Sequence, residues 1–274
     1  MIIVGENLSD RVEICNVKED GAIVLMDILF YLIGKDPDNW IIAHVAARFR
    51  YDDLRFLKES YVKLLNGESG HFGFASIDKE LCVWVNSDLY HEIDIQDGMT
   101  ASHCNLYFTP NIPSLHLLCK ETDNLISGNN HCNSIKTIEK NVLSVTFPKI
   151  TEYVDHDLVV YVTEIVLPHV LMRQVSDTNI ADIKDIKTKV ERFKTGELSS
   201  FNHMGEFYDI DFIRTENGIM IKGTFSDFSS PDENEVVFQE ETDRGILDTM
   251  IDSLNNLERL IADNNFKLYD NENE

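Results

Sequence analysis

Apolar residues recur at intervals of three or four in two separated stretches of the chain, and each stretch predicts one amphipathic helix. Gly67 follows the first stripe and Gly196 follows the second, each at a position suited to a left-handed residue that ends a helix. The stripes consist of Leu54, Leu57, Tyr61 and Leu64 in the first stretch and Ile183, Ile186, Val190 and Phe193 in the second.

The two helical stretches align with each other without a gap, with residues 53–72 lying over residues 182–201. An acidic residue near the start of each stretch is a candidate cap for the free amides of the first turn. Charged helices resemble one another easily, but identities at both ends of the run favour duplication over chance. The identical pairs are Asp53 and Asp182, Lys58 and Lys187, Gly67 and Gly196, Glu68 and Glu197, and Phe72 and Phe201.

Strand-forming residues flank both helices in a matching order, and Asn217-Gly218 is a hairpin signal in the second copy. A closing helix is clear in the second copy, whereas in the first copy it is reduced to Leu115 to Leu118 and shortened by Pro110 and Pro113. The predicted strands are 22–33, 41–49, 80–85 and 105–108 in the first copy, and 142–147, 158–167, 207–213, 219–225 and 235–238 in the second.

These patterns together predict an α+β fold made of two tandem, diverged copies of a mainly antiparallel sheet packed with one or two helices. The first α+β repeat is predicted over residues 1–128 and the second over residues 135–265, followed by an acidic flexible tail at 266–274. The polar, turn-rich segment 127–134 is the predicted linker. We expect the first copy to be more eroded than the second.

The charge of the chain narrows the classes of partner. Asp and Glu number 48 against 24 Lys and Arg, a formal net charge of −24. A negative charge of this size repels phosphate backbones and anionic membranes, so neither direct nucleic-acid binding nor membrane binding is expected. The negative charge would speed association with a basic protein. The alternative explanation is that the acidic residues only keep the protein soluble. The first residues of the sequence do not have the pattern of a signal peptide. The apolar run 22–33 is too short for a membrane span, so a cytoplasmic protein is expected.

No motif in the sequence predicts an enzyme, a cofactor or a metal site. The five cysteines are odd in number and irregularly spaced, without a Cys-x-x-Cys pair, which disfavours a disulfide framework or a zinc ribbon. His103-Cys104 and His131-Cys132 place possible ligands side by side, but adjacent residues of a strand point to opposite faces. Asp209 and Asp211 share one face of a strand, and a solvated sheet face explains them better than a catalytic pair.

A dense acidic run surrounds the short apolar strand Val236 to Phe238. We predict this run as the surface that meets a basic protein partner. The alternative is a charged loop and strand edge that protect the protein from aggregation. The predicted partner-binding residues are Asp232, Glu233, Glu235, Glu240, Glu241 and Asp243.

The order of elements in the second copy resembles the small immunity proteins of the WapI type. The helix is followed by Gly196-Glu197, the strand 207–213, the Asn-Gly turn, the strand 219–225, a strand ending at Phe238 and the closing helix. Proteins of that family neutralise the toxic nuclease domains of bacterial wall-associated and polymorphic toxins. The resemblance covers the second half of the chain and implies an inhibitor that binds a basic toxin domain, with no catalytic residue of its own.

Two other functions remain open at the level of the sequence. One is a structural or scaffold protein of a mobile element. The other is a metal-dependent enzyme that uses His103, His131 and the neighbouring cysteines. Oligomeric state is not predicted.

Overall fold

A computed structural model describes most of the chain. The described residues are 1–7, 9–33, 39–68, 70–96, 102–126, 143–154, 157–227 and 234–271. Within these ranges the strands lie in two antiparallel sheets of eight strands each, accompanied by four helices. The predicted α+β class is therefore confirmed. None of the helices in the described part of the chain is both long and apolar enough to cross a membrane.

The order of elements along the chain repeats. The first copy contains β1 (Ile2–Val4), β2 (Arg11–Asp20), β3 (Ile23–Ile33), β4 (Trp40–Arg50), α1 (Tyr51–Leu65), β5 (His71–Ala75), β6 (Leu81–Asn86), β7 (His91–Gln96), β8 (His103–Phe108) and α2 (Ile112–Ile126). The second contains β9 (Ser144–Thr146), β10 (Ile150–Tyr153), β11 (Leu158–Val166), β12 (Val170–Asn179), α3 (Ile180–Thr195), β13 (Ser200–Met204), β14 (Tyr208–Arg214), β15 (Ile219–Asp227), β16 (Asn234–Thr242) and α4 (Gly245–Asn271). Each copy is four strands, a helix, four strands and a helix, which confirms two tandem copies of one unit.

The chain forms two compact units, and the first of them holds β1 to β8, α1 and α2 together with Ser226–Val237. Its strands follow the orders β1-β2-β3-β4 and β5-β6-β7-β8, and the start of β16 pairs with β8. Helix α1 packs against α2 and β5, and α2 contacts β1. The predicted apolar stripe of α1 is buried throughout and forms part of the core, with Leu54, Leu57, Tyr61 and Leu64 each less than one-tenth exposed.

The second unit holds β9 to β14, β15 up to Phe225, the remainder of β16, α3 and α4. Strand β11 pairs with β9, β10 and β12, and β13, β14, β15 and β16 follow one another in the other sheet. Helix α3 packs against α4, β12 and β13, while α4 packs against β9. Ile183, Val190 and Phe193 of the predicted stripe are buried, and Ile186 is half-buried.

The ends of α1 and α3 follow the predicted glycine stops. Gly67 has a φ of 73° and Gly196 a φ of 90°, the left-handed region that a residue without a Cβ adopts most easily. The acidic residues expected to cap the two helices lie inside them. Asp53 and Asp182 are the third residues of their helices, and the Asp53 carboxylate accepts a hydrogen bond of 2.8 Å from the amide of Arg50, the residue that precedes α1.

The closing helix of the first copy is longer than the sequence pattern indicated. Helix α2 has 15 residues rather than a shortened turn. Asn111 caps it, since its side-chain oxygen accepts a hydrogen bond of 2.9 Å from the amide of Ser114. Pro113 is the second residue of the helix, where no intrahelical partner exists for the amide that proline lacks, so it does not shorten the helix. The expectation that this helix was eroded is wrong.

The predicted linker and the predicted end of the second repeat differ in how they relate to the described residues. Residues 127–134 and the start of the second repeat at 135 lie outside the described residues, so these boundaries stay predictions. Helix α4 continues to Asn271, beyond the predicted end of the second repeat at 265.

Candidate functional site

In the first unit, the sheet of β5 to β8 has one face in the core and one face outside. Strand β6 shows the alternation most clearly, because Leu81, Val83 and Val85 are buried while Cys82 and Trp84 point away from the core. Residues that lie directly opposite each other in an antiparallel sheet share a face. The register of the strands therefore identifies every other residue that belongs to the outer face.

One row of this outer face contains an exposed tryptophan beside a carboxylate. The register places Gly73 opposite Trp84, Trp84 opposite Glu92, and Glu92 opposite Tyr107. Trp84 is 48% exposed, and Glu92 is exposed as well. A Cβ atom built at Gly73 would lie 3.1 Å from Cδ1 of the indole, so the tryptophan rests closely on the glycine. The ring is thus supported on one side and open to solvent.

A second row adds two more acidic side chains. Cys82 lies opposite Asp94, Asp94 opposite Asn105, and Asn105 opposite Glu235 of β16. The side-chain amide nitrogen Nε2 of Gln96 donates a hydrogen bond of 2.6 Å to the Asp94 carboxylate. The structure therefore brings one residue of the predicted acidic run, Glu235, onto the same face as Asp94.

The start of β16 is fixed beside β8 by a buried side chain. The Asn234 side-chain oxygen accepts a hydrogen bond of 2.9 Å from the backbone amide of Tyr107. The Tyr107 ring in turn stacks with Tyr90 at a centroid distance of 5.6 Å. We call the resulting surface the aromatic-acidic face; it consists of Trp84, Tyr90, Glu92, Asp94, Tyr107 and Glu235.

The carboxylates of the aromatic-acidic face, Glu92, Asp94 and Glu235, form no ion pair with any lysine or arginine that the structure describes. Elsewhere the chain pairs its acids readily, as in the contact of Arg48 with Asp78. Unpaired carboxylates around an exposed aromatic ring are suited to the guanidinium or ammonium groups of another molecule.

The second unit presents a different outer face at the equivalent positions. Phe201 is the counterpart of Phe72 in the repeat; it lies opposite Phe212, and Phe72 lies opposite Val85. The residues that precede these partners, Asp211 and Trp84, therefore occupy equivalent positions in the two sheets. Lys222 then lies opposite Asp211, in the place of Glu92, and its ammonium nitrogen is 3.4 Å from the carboxylate. Lys222 thus pairs with Asp211 on this face, whereas no described lysine or arginine pairs with Glu92, Asp94 or Glu235 in the first unit.

The four predicted acidic residues that the structure describes are not all exposed. Glu240 is only 7% exposed, so it does not contribute to an exposed acidic surface. Glu241 and Asp243 are exposed, and the Asp243 carboxylate accepts a hydrogen bond of 2.7 Å from the amide of Gly245 at the start of α4. Asp232 and Glu233 lie outside the described residues. Glu235 is the one residue among those four that belongs to the aromatic-acidic face.

The histidine–cysteine pairs do not form a metal site in the described part of the chain. His103 is half-buried on one face of β8, and Cys104 is buried on the other. Burial raises the pKa of the Cys104 thiol, which keeps it protonated and unsuited to metal binding or nucleophilic attack. His131 and Cys132 fall outside the described residues, and within those residues no group of three His, Cys, Asp or Glu side chains is placed to hold a metal.

Each unit also buries a histidine against a tyrosine. Nε2 of His91 lies 2.6 Å from the Tyr61 hydroxyl in the first unit, and Nε2 of His203 lies 2.9 Å from the Tyr208 hydroxyl in the second. Burial lowers the pKa of both histidines to about 4. Both rings are therefore neutral at pH 7, and neither is open to a substrate, since each is at most 5% exposed.

No family model, curated protein or solved structure matches the chain. The class of the protein is therefore defined by its own elements, as a tandem α+β repeat protein with an aromatic-acidic face on its first unit. Because a fold alone does not determine function, the functional argument has to rest on that face.

Proposed function

We propose that this protein is an immunity protein that binds and neutralises a basic, nuclease-type bacterial toxin domain in the cytoplasm. The observation that supports the proposal is the aromatic-acidic face, where Trp84 is 48% exposed beside carboxylates that form no ion pair with a described lysine or arginine. The resemblance of the second copy to WapI-type immunity proteins belongs to the same proposal.

The chemistry of the face suits a basic protein. Tryptophan, tyrosine and arginine are the side chains that contribute most to protein–protein binding energy. Trp84 and the stacked pair of Tyr90 and Tyr107 offer rigid aromatic surface, and arginine or lysine side chains of a partner bind well between such rings and nearby carboxylates. A partner that supplies the missing cations completes the face.

Long-range charge favours the same partner. The formal net charge of −24 attracts a basic protein before contact and raises its association rate. Nuclease domains carry basic surfaces because they grip phosphate backbones. An acidic protein that docks on such a surface blocks access of the nucleic acid, so inhibition needs no catalytic residue in this chain.

The decisive experiment mixes the purified protein with the nuclease toxin domains encoded beside its gene. Binding is measured by calorimetry and inhibition by nuclease activity on DNA and RNA substrates. We expect a stoichiometric complex that abolishes nuclease activity and weakens as the salt concentration rises.

Two variants test whether the aromatic-acidic face makes the contact. Trp84→Ala removes the exposed ring of the face, and Met204→Ala is the matched control because Met204 is a 71% exposed apolar side chain in the second unit. We expect Trp84→Ala to weaken inhibition and Met204→Ala to leave it unchanged. Absence of binding to every neighbouring nuclease, or equal inhibition by both variants, contradicts the proposal.

A further inference from the structure

The core of the first unit contains a cavity of about 80 Å³. Its wall is built from both groups of strands and from both helices of the unit. Leu57, Leu81, Val83, Ile93, Leu115 and Leu118 are among the residues that line it, and all of them are less than one-tenth exposed. Well-packed cores contain few voids larger than a water molecule, so a cavity of this size is a distinct feature of the unit.

The polar groups of the cavity wall already have partners within the protein. The Tyr61 hydroxyl bonds to Nε2 of His91, and Nδ1 of His91 lies 2.6 Å from the backbone oxygen of Leu89. The Thr122 hydroxyl donates to the backbone oxygen of Leu118 at 2.8 Å. A water molecule needs two to four polar partners to be stable in a cavity, and the wall does not supply them.

The equivalent core positions of the second unit carry polar groups that meet each other, and one of them, Tyr208, is larger than its counterpart Leu81. By register, Tyr208 takes the place of Leu81 and His203 the place of Phe74. The Tyr208 hydroxyl lies 2.9 Å from Nε2 of His203 and 3.1 Å from the Thr163 hydroxyl. The first unit has a shorter, wholly apolar side chain at Leu81, and the space beside it is part of the cavity.

We infer that this cavity is a binding site for a small apolar molecule. Charged and hydrogen-bonding ligands would lose their hydration without gaining a partner in the wall, whereas an apolar ligand gains dispersion contacts with the apolar side chains of the wall. A water molecule occupies about 10–15 Å³ of such volume, and an engineered apolar cavity of about 150 Å³ stays dry and binds benzene or xenon. The volume of 80 Å³ therefore selects ligands at the small end of that range, of which xenon is the simplest probe.

The test follows the methyl groups of the full-length protein by NMR while xenon pressure is raised. We expect saturable shifts at the methyls of Leu81, Val83 and Ile93, which line the cavity. The methyls of Ile210 and Leu254, which are fully buried in the second unit, are the internal control and should move little. Shifts of equal size in both groups would overturn the inference.

Two cavity-filling variants make the test specific. Leu81→Phe and Leu118→Phe each place a larger ring in the cavity from a different element, so at least one folded variant is expected. Xenon should no longer shift the remaining cavity methyls in a folded variant. Unchanged xenon shifts in a folded variant would also overturn the inference. Neither outcome depends on whether the protein binds a toxin.

Discussion

The hydroxyl of Tyr61 on α1 and Nε2 of His91 on β7 lie 2.6 Å apart in the core of the first unit. His91 accepts this bond only as a neutral ring that donates from Nδ1 to the backbone oxygen of Leu89. Protonation at Nε2 would turn the ring into the donor of this bond, deprive the Tyr61 hydroxyl proton of its acceptor, and place a charge among apolar side chains. The second unit repeats the arrangement with His203 and Tyr208, so both cores require a neutral histidine.

These histidines make the stability of the protein depend on pH. Their pKa values in the folded protein are about 4, whereas the pKa of histidine in an unfolded chain is about 6.5. The unfolded chain therefore takes up protons first as the pH falls, and folding stability decreases between about pH 6.5 and pH 4. Each histidine removes about 3 kcal/mol from the free energy of unfolding by the lower end of this range.

Urea denaturation at pH 7.5, 5.5 and 4.5 measures this effect. In His91→Asn, the slope of unfolding free energy against pH should decrease by about one proton relative to the unchanged protein. His71→Asn is the control because His71 is exposed on β5, and it should retain the original slope. A His91→Asn slope equal to that of the unchanged protein would show that His91 titrates normally.

Trp84→Ala should separate binding from stability. Trp84 is 48% exposed, so its removal should change the free energy of unfolding by no more than about 1 kcal/mol. If the ring is the centre of an interface, the same change costs about 2 kcal/mol or more of binding free energy, roughly a thirtyfold loss of affinity. Calorimetry against the cognate nuclease domain and urea denaturation measure the two quantities. A large loss of stability with unchanged affinity would assign Trp84 to folding.

Reversing one charge of the aromatic-acidic face should slow association. Glu92→Lys places a cation beside Trp84, where a basic partner is expected to dock, and stopped-flow measurements at low salt should give a several-fold lower association rate. Glu216→Lys is the matched control, because it makes the same change in net charge at an exposed position of the β14–β15 hairpin. Equal slowing by both variants would mean that net charge matters and the face does not.

Gly196→Ala should destabilise the protein through the backbone alone. A Cβ atom at this position has nothing within 4 Å, but the φ of 90° lies in the left-handed region. We expect a loss of about 1 kcal/mol in the free energy of unfolding. Gly70→Ala is the control, since it also meets nothing within 4 Å and lacks a positive φ, and it should leave stability nearly unchanged. Equal effects of the two substitutions would refute the backbone explanation.

The helices of the repeat were predictable because their signals are local. The spacing of Leu54, Leu57 and Leu64 and the glycine stop at Gly67 lie within one short stretch, and the structure has a helix there. The underestimate of α2 has a local cause as well. A proline breaks a helix in its interior, whereas Pro113 lies in the first turn, where proline is tolerated.

The aromatic-acidic face could not be predicted in the same way. Alternation along β6 places Trp84 on the same side as Cys82, but it does not say which residues of other strands lie beside it. That information is in the register, which joins Trp84 to Glu92 and joins Asn105 to Glu235, a residue far along the chain. The acidic run was recognisable in the sequence, but the burial of Glu240 and the position of Glu235 opposite Asn105 depend on the folded sheet.

Strand β16 makes the first unit depend on residues of the second repeat. Residues up to Val237 belong to the first unit, where Glu235 to Val237 pair with β8, although they are encoded within the second repeat. A gene fragment ending at residue 126 would therefore leave β8 with an open hydrogen-bonding edge that invites aggregation. An exchange of one repeat for another at the junction between them would likewise take this strand segment away from the first unit. The first unit is therefore complete only when the second repeat is translated with it.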